Sequence, residues 1–267
     1  MKKLVVALTA IAAFTAPALA ADMAPRYAKA APAPVAYAPS WTGCYIAGGG
    51  GFGMWNQENT TYDNLTVPRT QVTATETAGG RGYFGTVGAG CDYQFPAMGT
   101  SFVIGVNGDY DFASIKGQHG NGFMGTVGQE KMSSAWSLGG RVGWVALPNL
   151  LTYFSVGYTE ATFDRQNYTN NLFVAPAGGA SFFYTDKQTY KGWYIGAGDE
   201  YALNFLPGLF WKTEYRFSEF DVKSNPYRFV ATGAATQWSD DSKKYVHTIR
   251  SELVYRFNWG GPVVAKY

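Results

Sequence analysis

The sequence predicts an all-β fold, an eight-stranded antiparallel up-and-down transmembrane β-barrel. Three observations carry this reading. The run 245–259 alternates: Tyr245, Ile249, Leu253, Tyr255, Phe257 and Trp259 make one face mainly apolar, and Arg250, Glu252 and Arg256 put the charge on the other. Period two means a strand with one apolar and one polar face. The run exceeds the ~9–11 residues that an oblique strand needs to cross a bilayer. Long and short connections then alternate along the chain, as in outer-membrane barrels with short periplasmic turns and longer outer loops. Finally, the chain opens with an export signal but has no stretch of ~18 uninterrupted apolar residues that could cross as a helix.

The export signal is read at 1–20: Lys2 and Lys3, a short apolar run over 4–14, and the small-residue cleavage site Ala18-Leu19-Ala20. Residues 21–40, rich in Ala and Pro, read as an extended periplasmic leader. The barrel is expected over 41–259, followed by a short tail, 260–267. The chain has 21 basic and 19 acidic residues, so loss of Lys2 and Lys3 leaves 19 of each. A neutral chain argues against nucleic-acid binding, which needs a basic surface. Aromatics at 17%, 33 Gly and 15% charge suit glycine-lined barrel walls.

The strands are expected at 41–55, 83–95, 102–112, 132–146, 150–162, 190–204, 209–220 and 245–259. Strand one places Cys44, Ile46 and Phe52 on its apolar face. Its Gly48-x-Gly50-x-x-Gly53 matches the dinucleotide fingerprint, but no helix pattern follows, so no cofactor is expected. Strand two sets Tyr83, Val87, Cys91 and Tyr93 against Thr86, Asp92 and Gln94. Strand three sets Ile104, Val106 and Tyr110 against Asn107, Asp109 and Asp111. Strand four sets Trp136, Leu138 and Trp144 against Ser137 and Arg141. Strand five sets Phe154 and Val156 against Tyr153 and Ser155. Strand six puts Asp199 on its apolar face, so either Asp199 lies near the membrane interface or the register is locally shifted. Strand seven alternates Trp211, Thr213, Tyr215 and Phe217 with Lys212, Glu214, Arg216 and Ser218. Long polar loops are expected at 56–81, 114–130, 163–188 and 221–244. The tryptophans sort into two girdles, with Trp41, Trp144, Trp211 and Trp259 toward the periplasm and Trp55, Trp136 and Trp193 toward the outside. Trp238 falls in a loop.

The run Trp41-Thr42-Gly43-Cys44-Tyr45-Ile46-Ala47-Gly48, the Gly-rich second strand, the Leu147-Pro148-Asn149 turn and the ending Tyr255-Arg256-Phe257-Asn258-Trp259-Gly260-Gly261-Pro262 together resemble the small outer-membrane β-barrels of alphaproteobacteria. These are relatives of the major surface antigens and porin-like proteins, with an OmpA-like barrel domain. The resemblance covers essentially the whole chain after the signal. It implies residence in the outer membrane among its lipids and lipopolysaccharide, a structural or surface-exposed role, and no catalytic residues. It also implies that Tyr255 and Phe257 form an insertion signal for the barrel-assembly machinery. Because the chain continues past Phe257, the terminal Tyr267 is a second candidate for the aromatic that is read. The family usually carries an aromatic where this chain has Cys44.

Two constellations stand out. The inward-facing charges Asp109, Asp111, Arg141, Glu200, Lys212, Glu214, Arg216, Arg250, Glu252 and Arg256 have both signs on neighbouring strands. An eight-stranded barrel has an interior just filled by side chains, and buried charges must pair. These residues are expected to form a salt-bridge plug, the alternative being a narrow polar path for small solutes. Cys44 and Cys91 fall almost opposite each other on paired strands, within disulfide reach. The pairing predicts a cross-strand disulfide, the alternative being two small hydrophobes facing lipid. His119, in a predicted loop, and His247, on the lipid face, lack a serine and acid partner, so neither catalysis nor a metal site is expected. The sequence thus reads as a structural outer-membrane barrel displaying four surface loops. A narrow porin-like channel and a loop-mediated adhesin that binds a host or surface ligand are the alternatives.

Overall fold

The computed structural model describes residues 39–121, 125–170 and 181–257. The signal segment, most of the leader, Trp259 and the tail with Tyr267 lie outside the described residues. The period-two patterning produces five long strands: β1 (Gly43–Asp63), β3 (Glu76–Ala97), β4 (Thr100–Asn121), β5 (Thr126–Leu147) and β12 (Ala235–Phe257). Three shorter strands, β6 (Leu150–Phe163), β9 (Gln188–Ala202) and β10 (Leu209–Phe220), complete a closed ring in the order β1-β3-β4-β5-β6-β9-β10-β12-β1, antiparallel throughout.

A second ring continues the first. The strands β7 (Gln166–Asn170), β8 (Ser181–Thr185) and β11 (Lys223–Phe229) replace β6, β9 and β10, giving the order β1-β3-β4-β5-β7-β8-β11-β12. The breaks are stitched by backbone bonds: Asp164 N–H donates to Lys131 O at 2.9 Å and Asp221 N–H to Lys191 O at 2.8 Å. The short strand β2 (Thr70–Gln71) pairs with the end of β1. Most of the expected long loops are therefore strand. Residues 56–63 belong to β1, 76–81 to β3, 114–121 to β4, 126–130 to β5 and 235–244 to β12, which also takes in Trp238. The 22 residues of β4 rise ~55 Å at ~3.3 Å per residue and ~40° tilt, well beyond a lipid-facing band of ~25 Å.

That band is visible on the outer wall. On β4 it runs from Phe102 to Phe112 through exposed Ile104, Val106 and Tyr110. Trp144, Trp211, Tyr255 and Phe257 edge it on one side; Tyr83, Trp136, Tyr158 and Trp193 edge it on the other, all outward-facing. The girdle expectation fails for two tryptophans. Trp41 and Trp55 are buried in the lumen, at 0% and 1% exposure. Trp55 shares the inward parity of Tyr45 on β1, and its indole N–H donates to Ile115 O. The short turns lie at the periplasmic end. In the β3–β4 hairpin, Met98 (φ 51°) and Gly99 (φ 78°) occupy the two left-handed positions of a two-residue turn. Asp199 does face outward, three residues before the end of its strand and opposite Thr152, whose hydroxyl donates to it at 2.6 Å. Strand six is in register, and Asp199 sits near the periplasmic interface.

The band's position on β4 sets the cost of an outward charge. In refolding titrations into lipid vesicles, Val106→Arg costs ~2–4 kcal/mol and Gln118→Arg, far above the band, costs ~1 kcal/mol or less. Equal costs would misplace the membrane.

Candidate functional site

The site is the lumen, and its layers can be read up one strand. From the periplasmic end, β12 turns Arg256, Val254, Glu252, Arg250, Val246, Lys244, Ser242 and Asp240 inward.

The lowest layer is a four-membered charge cluster. The Arg141 guanidinium donates to Asp92 (Nε to Oδ1, 2.9 Å) and to Glu200 (3.1 Å). That of Arg256 donates to Asp92 (2.6 Å) and to Glu200 (Nε to Oε1, 2.9 Å). All four side chains are at most 3% exposed. They come from β3, β5, β9 and β12, none of which is adjacent to another in the ring. Aromatic rings enclose the cluster: Tyr45 and Tyr153 lie against Arg141, and Tyr45 and Phe210 against Arg256, at 4.8–5.2 Å from the guanidinium carbons. Trp41 closes the bottom, its carbonyl accepting from Arg256. Glycine makes the space. A Cβ on Gly105 would stand 1.9 Å from Asp92 Oδ1, and one on Gly139 would stand 2.3 Å from the Tyr194 hydroxyl.

The next layer is a second cluster. Arg250 donates to Asp109 (2.8 Å) and Asp111 (3.0 Å), and Arg216 donates to Asp109 (3.0 Å) and Glu214 (2.9 Å). Glu214 also accepts from Tyr153 at 2.8 Å. Lys212 pairs with Glu252 at 2.9 Å. All ten sequence-nominated charges thus enter ion pairs. Asp92, on the polar face of its strand, joins the network beyond the ten expected charges, and the aromatic rings flank the arginines where the sequence pattern assigns them no role.

Above lies an apolar layer of Trp55, Phe84, Ile115, Met132, Phe163, Tyr190, Phe220 and Val246. The outer storey, beyond the lipid-facing band, is polar again. Lys244 reaches over the Phe163 ring at 4.3 Å and donates to Glu130 at 2.6 Å and to Gln57. His119, expected in a loop, is on β4 and 1% exposed, beside Gln57, Asn59 and Asp240. Burial holds the His119 imidazole down at about 4, so it is neutral and accepts the Gln57 amide; burial pushes the Asp240 carboxyl up to about 7. Asn59 Oδ1, Glu130 Oε2 and Asp240 Oδ1 are buried without a hydrogen-bond partner.

On the wall, Cys44 lies opposite Cys91 in the β1–β3 register and the two form a disulfide. His247 is outward, with the Tyr215 hydroxyl 2.7 Å from its Nδ1. Tyr255 and Phe257 face outward at the end of β12.

Two curated relatives match almost the whole chain. The 31 kDa outer-membrane immunogenic proteins of Brucella melitensis and Brucella suis are each 28% identical over 265 residues, 96% of this chain and 100% of theirs. No protein-family model matches. Among solved structures, the outer membrane protein OprG of Pseudomonas aeruginosa superposes with a TM-score of 0.52 at 14% identity, covering 83% of this chain and 100% of OprG. This chain is an outer-membrane β-barrel protein. The barrel is similar over almost its whole length to the Brucella immunogenic proteins, and its outer wall carries a band of outward apolar side chains.

Two measurements check the site. A non-reducing peptide map of the purified barrel joins the peptides of Cys44 and Cys91; two free thiols would remove the bond. Gly105→Ala drives a methyl into Asp92 and lowers stability by ~2 kcal/mol or more, a cost typical of disturbing a buried ionic network. Outward-facing Gly140→Ala has no such neighbour and costs under ~1 kcal/mol.

Proposed function

We propose that the barrel is a non-conducting structural element of the outer membrane, plugged by its paired lumen charges, that holds an outer storey and the connections at its tip toward the exterior. The observation that carries this is the pairing of Asp92, Asp109, Asp111 and Glu200 with Arg141, Arg216, Arg250 and Arg256 across the lumen, with Glu214 and Glu252 paired to Arg216 and Lys212 on the same or the neighbouring strand. Four buried arginines, each bonded to a carboxylate on a non-adjacent strand, support this reading by filling the lumen with fixed, paired charge. Removing one partner would strand a buried charge, so the plug opposes its own opening. In this reading the barrel is not an enzyme, and the outward Tyr255 and Phe257 are read by the assembly machinery, with Tyr267 the second candidate.

A narrow channel is the second reading. The orphaned polar atoms of Asn59, Glu130 and Asp240 favour it, because such groups call for water in the outer lumen. A third reading takes the outer storey as a surface that binds a host or surface ligand; the Brucella relatives are named as immunogenic, which fits exposure to the outside. Among the described residues the expected loops are much reduced, and the described outer surface is chiefly the outer wall of β7, β8 and β11 and the 64–75 connection.

Planar-bilayer recording on protein that shows heat-modifiable mobility decides between plug and channel. Silence over repeated insertions is expected. Discrete, reproducible steps would overturn the plug and make small-solute passage the function.

A further inference from the structure

We propose that the outer wall of β3–β5 carries a binding site for a phosphorylated glycolipid headgroup of the outer leaflet, built by Arg81, Lys116 and Lys131. The register puts Arg81 directly opposite Lys116, and Lys116 directly opposite Lys131. All three lie on the outer wall, the first two exposed. Directly opposed side chains have Cβ atoms ~5 Å apart, and like charges there repel. Lys131 has partial relief from Asp164 at 3.7 Å. Among the described residues, no carboxylate lies in ion-pair range of Arg81 or Lys116. Elsewhere on the same wall cations stand opposite acids. Lys243 faces Glu58 and bridges to Glu219 at 2.6 Å, and Lys191 faces Glu160. The β3–β5 row therefore keeps a repulsion that Lys191 and Lys243 avoid, and an external anion is what would relieve it.

Height and shape say which anion. Tyr83 is the next outward residue below Arg81, with Phe52 opposite it, and Phe112 lies two outward positions below Lys116. These rings mark the upper edge of the apolar band, so the cations stand ~5–10 Å above it, at headgroup depth. A groove beside them is lined by Met54, Asn56, Gly79, Arg81, Lys116 and His247. The outward Gly79 carries no side chain to fill it. Three cations in a row spanning ~10 Å match a headgroup bearing two phosphates better than one bearing a single phosphate. The guanidinium and ammonium groups would donate charge-assisted hydrogen bonds to the phosphate oxygens. The acyl chains of the same molecule would lie on the apolar wall below.

The test uses the purified protein in phosphatidylcholine nanodiscs, with bisphosphorylated lipid A, phosphatidylglycerol or inorganic phosphate as probes. Arg81→Gln/Lys116→Gln is compared with the charge-matched control Lys191→Gln/Lys243→Gln. Without an anionic probe, the first pair unfolds at a higher temperature than wild type, because repulsion is relieved. With lipid A the order reverses, and the first pair binds it at least ten-fold more weakly than wild type. The control binds lipid A as wild type does. Equal weakening in both pairs would reduce the effect to general charge and overturn the site, as would a missing reversal. Protection of wild type by inorganic phosphate or phosphatidylglycerol equal to that by lipid A would overturn the glycolipid assignment.

Discussion

The structure depends on the narrowness of its own interior. Eight strands close around a space that side chains just fill, so a charge turned inward has no water to meet and must find an opposite charge. Arg141 and Arg256 meet this by sharing Asp92 and Glu200, each guanidinium bonding both carboxylates. Because the four groups come from β3, β5, β9 and β12, the cluster ties together strands that share no backbone ladder. The ladder hydrogen bonds fix neighbours; the lumen charges fix the ring as a whole. Arg216 and Arg250 repeat the solution one layer up with Asp109, Asp111 and Glu214.

The same constraint shapes the vertical order. Charge clusters occupy the levels that the apolar band surrounds outside, and aromatic side chains seal them from below at Trp41 and from above at Trp55 and Phe163. Beyond that seal the wall stands in water, and polar groups return on both faces. The interruptions that separate β6 from β7, β8 from β9 and β10 from β11 fall near this change of surroundings, while β1, β3, β4, β5 and β12 carry through it. The five uninterrupted strands give the outer ring its register, and the three interrupted ones follow.

What was legible in the sequence follows from the same division. Where lipid lies on one side and a charged lumen on the other, alternation is strong. It placed Arg141, Glu200, Lys212, Glu214, Arg216, Arg250 and Arg256 inward and located the Cys44–Cys91 pairing. It stopped being informative at Asn56, where inward Gln57, Asn59 and Thr61 alternate with outward Asn56, Glu58 and Thr60. Both sets are polar, so a continuing strand reads as a loop, and His119 among glycines on β4 was missed for the same reason. Parity already put Trp55 inward beside Tyr45, but its position at a strand end suggested a girdle. The share each arginine takes of Asp92 and Glu200 depends on contacts between strands far apart in sequence, which no local pattern carries.

Charges on non-adjacent strands hold one another across the lumen. A double-mutant cycle on Asp92→Ala and Arg256→Ala, followed by guanidinium unfolding from lipid vesicles, tests it most directly. The expected coupling energy is ~2–3 kcal/mol between two side chains whose strands are separated by β1. Additive effects within ~0.5 kcal/mol would mean that the two groups do not act on each other, and would contradict it.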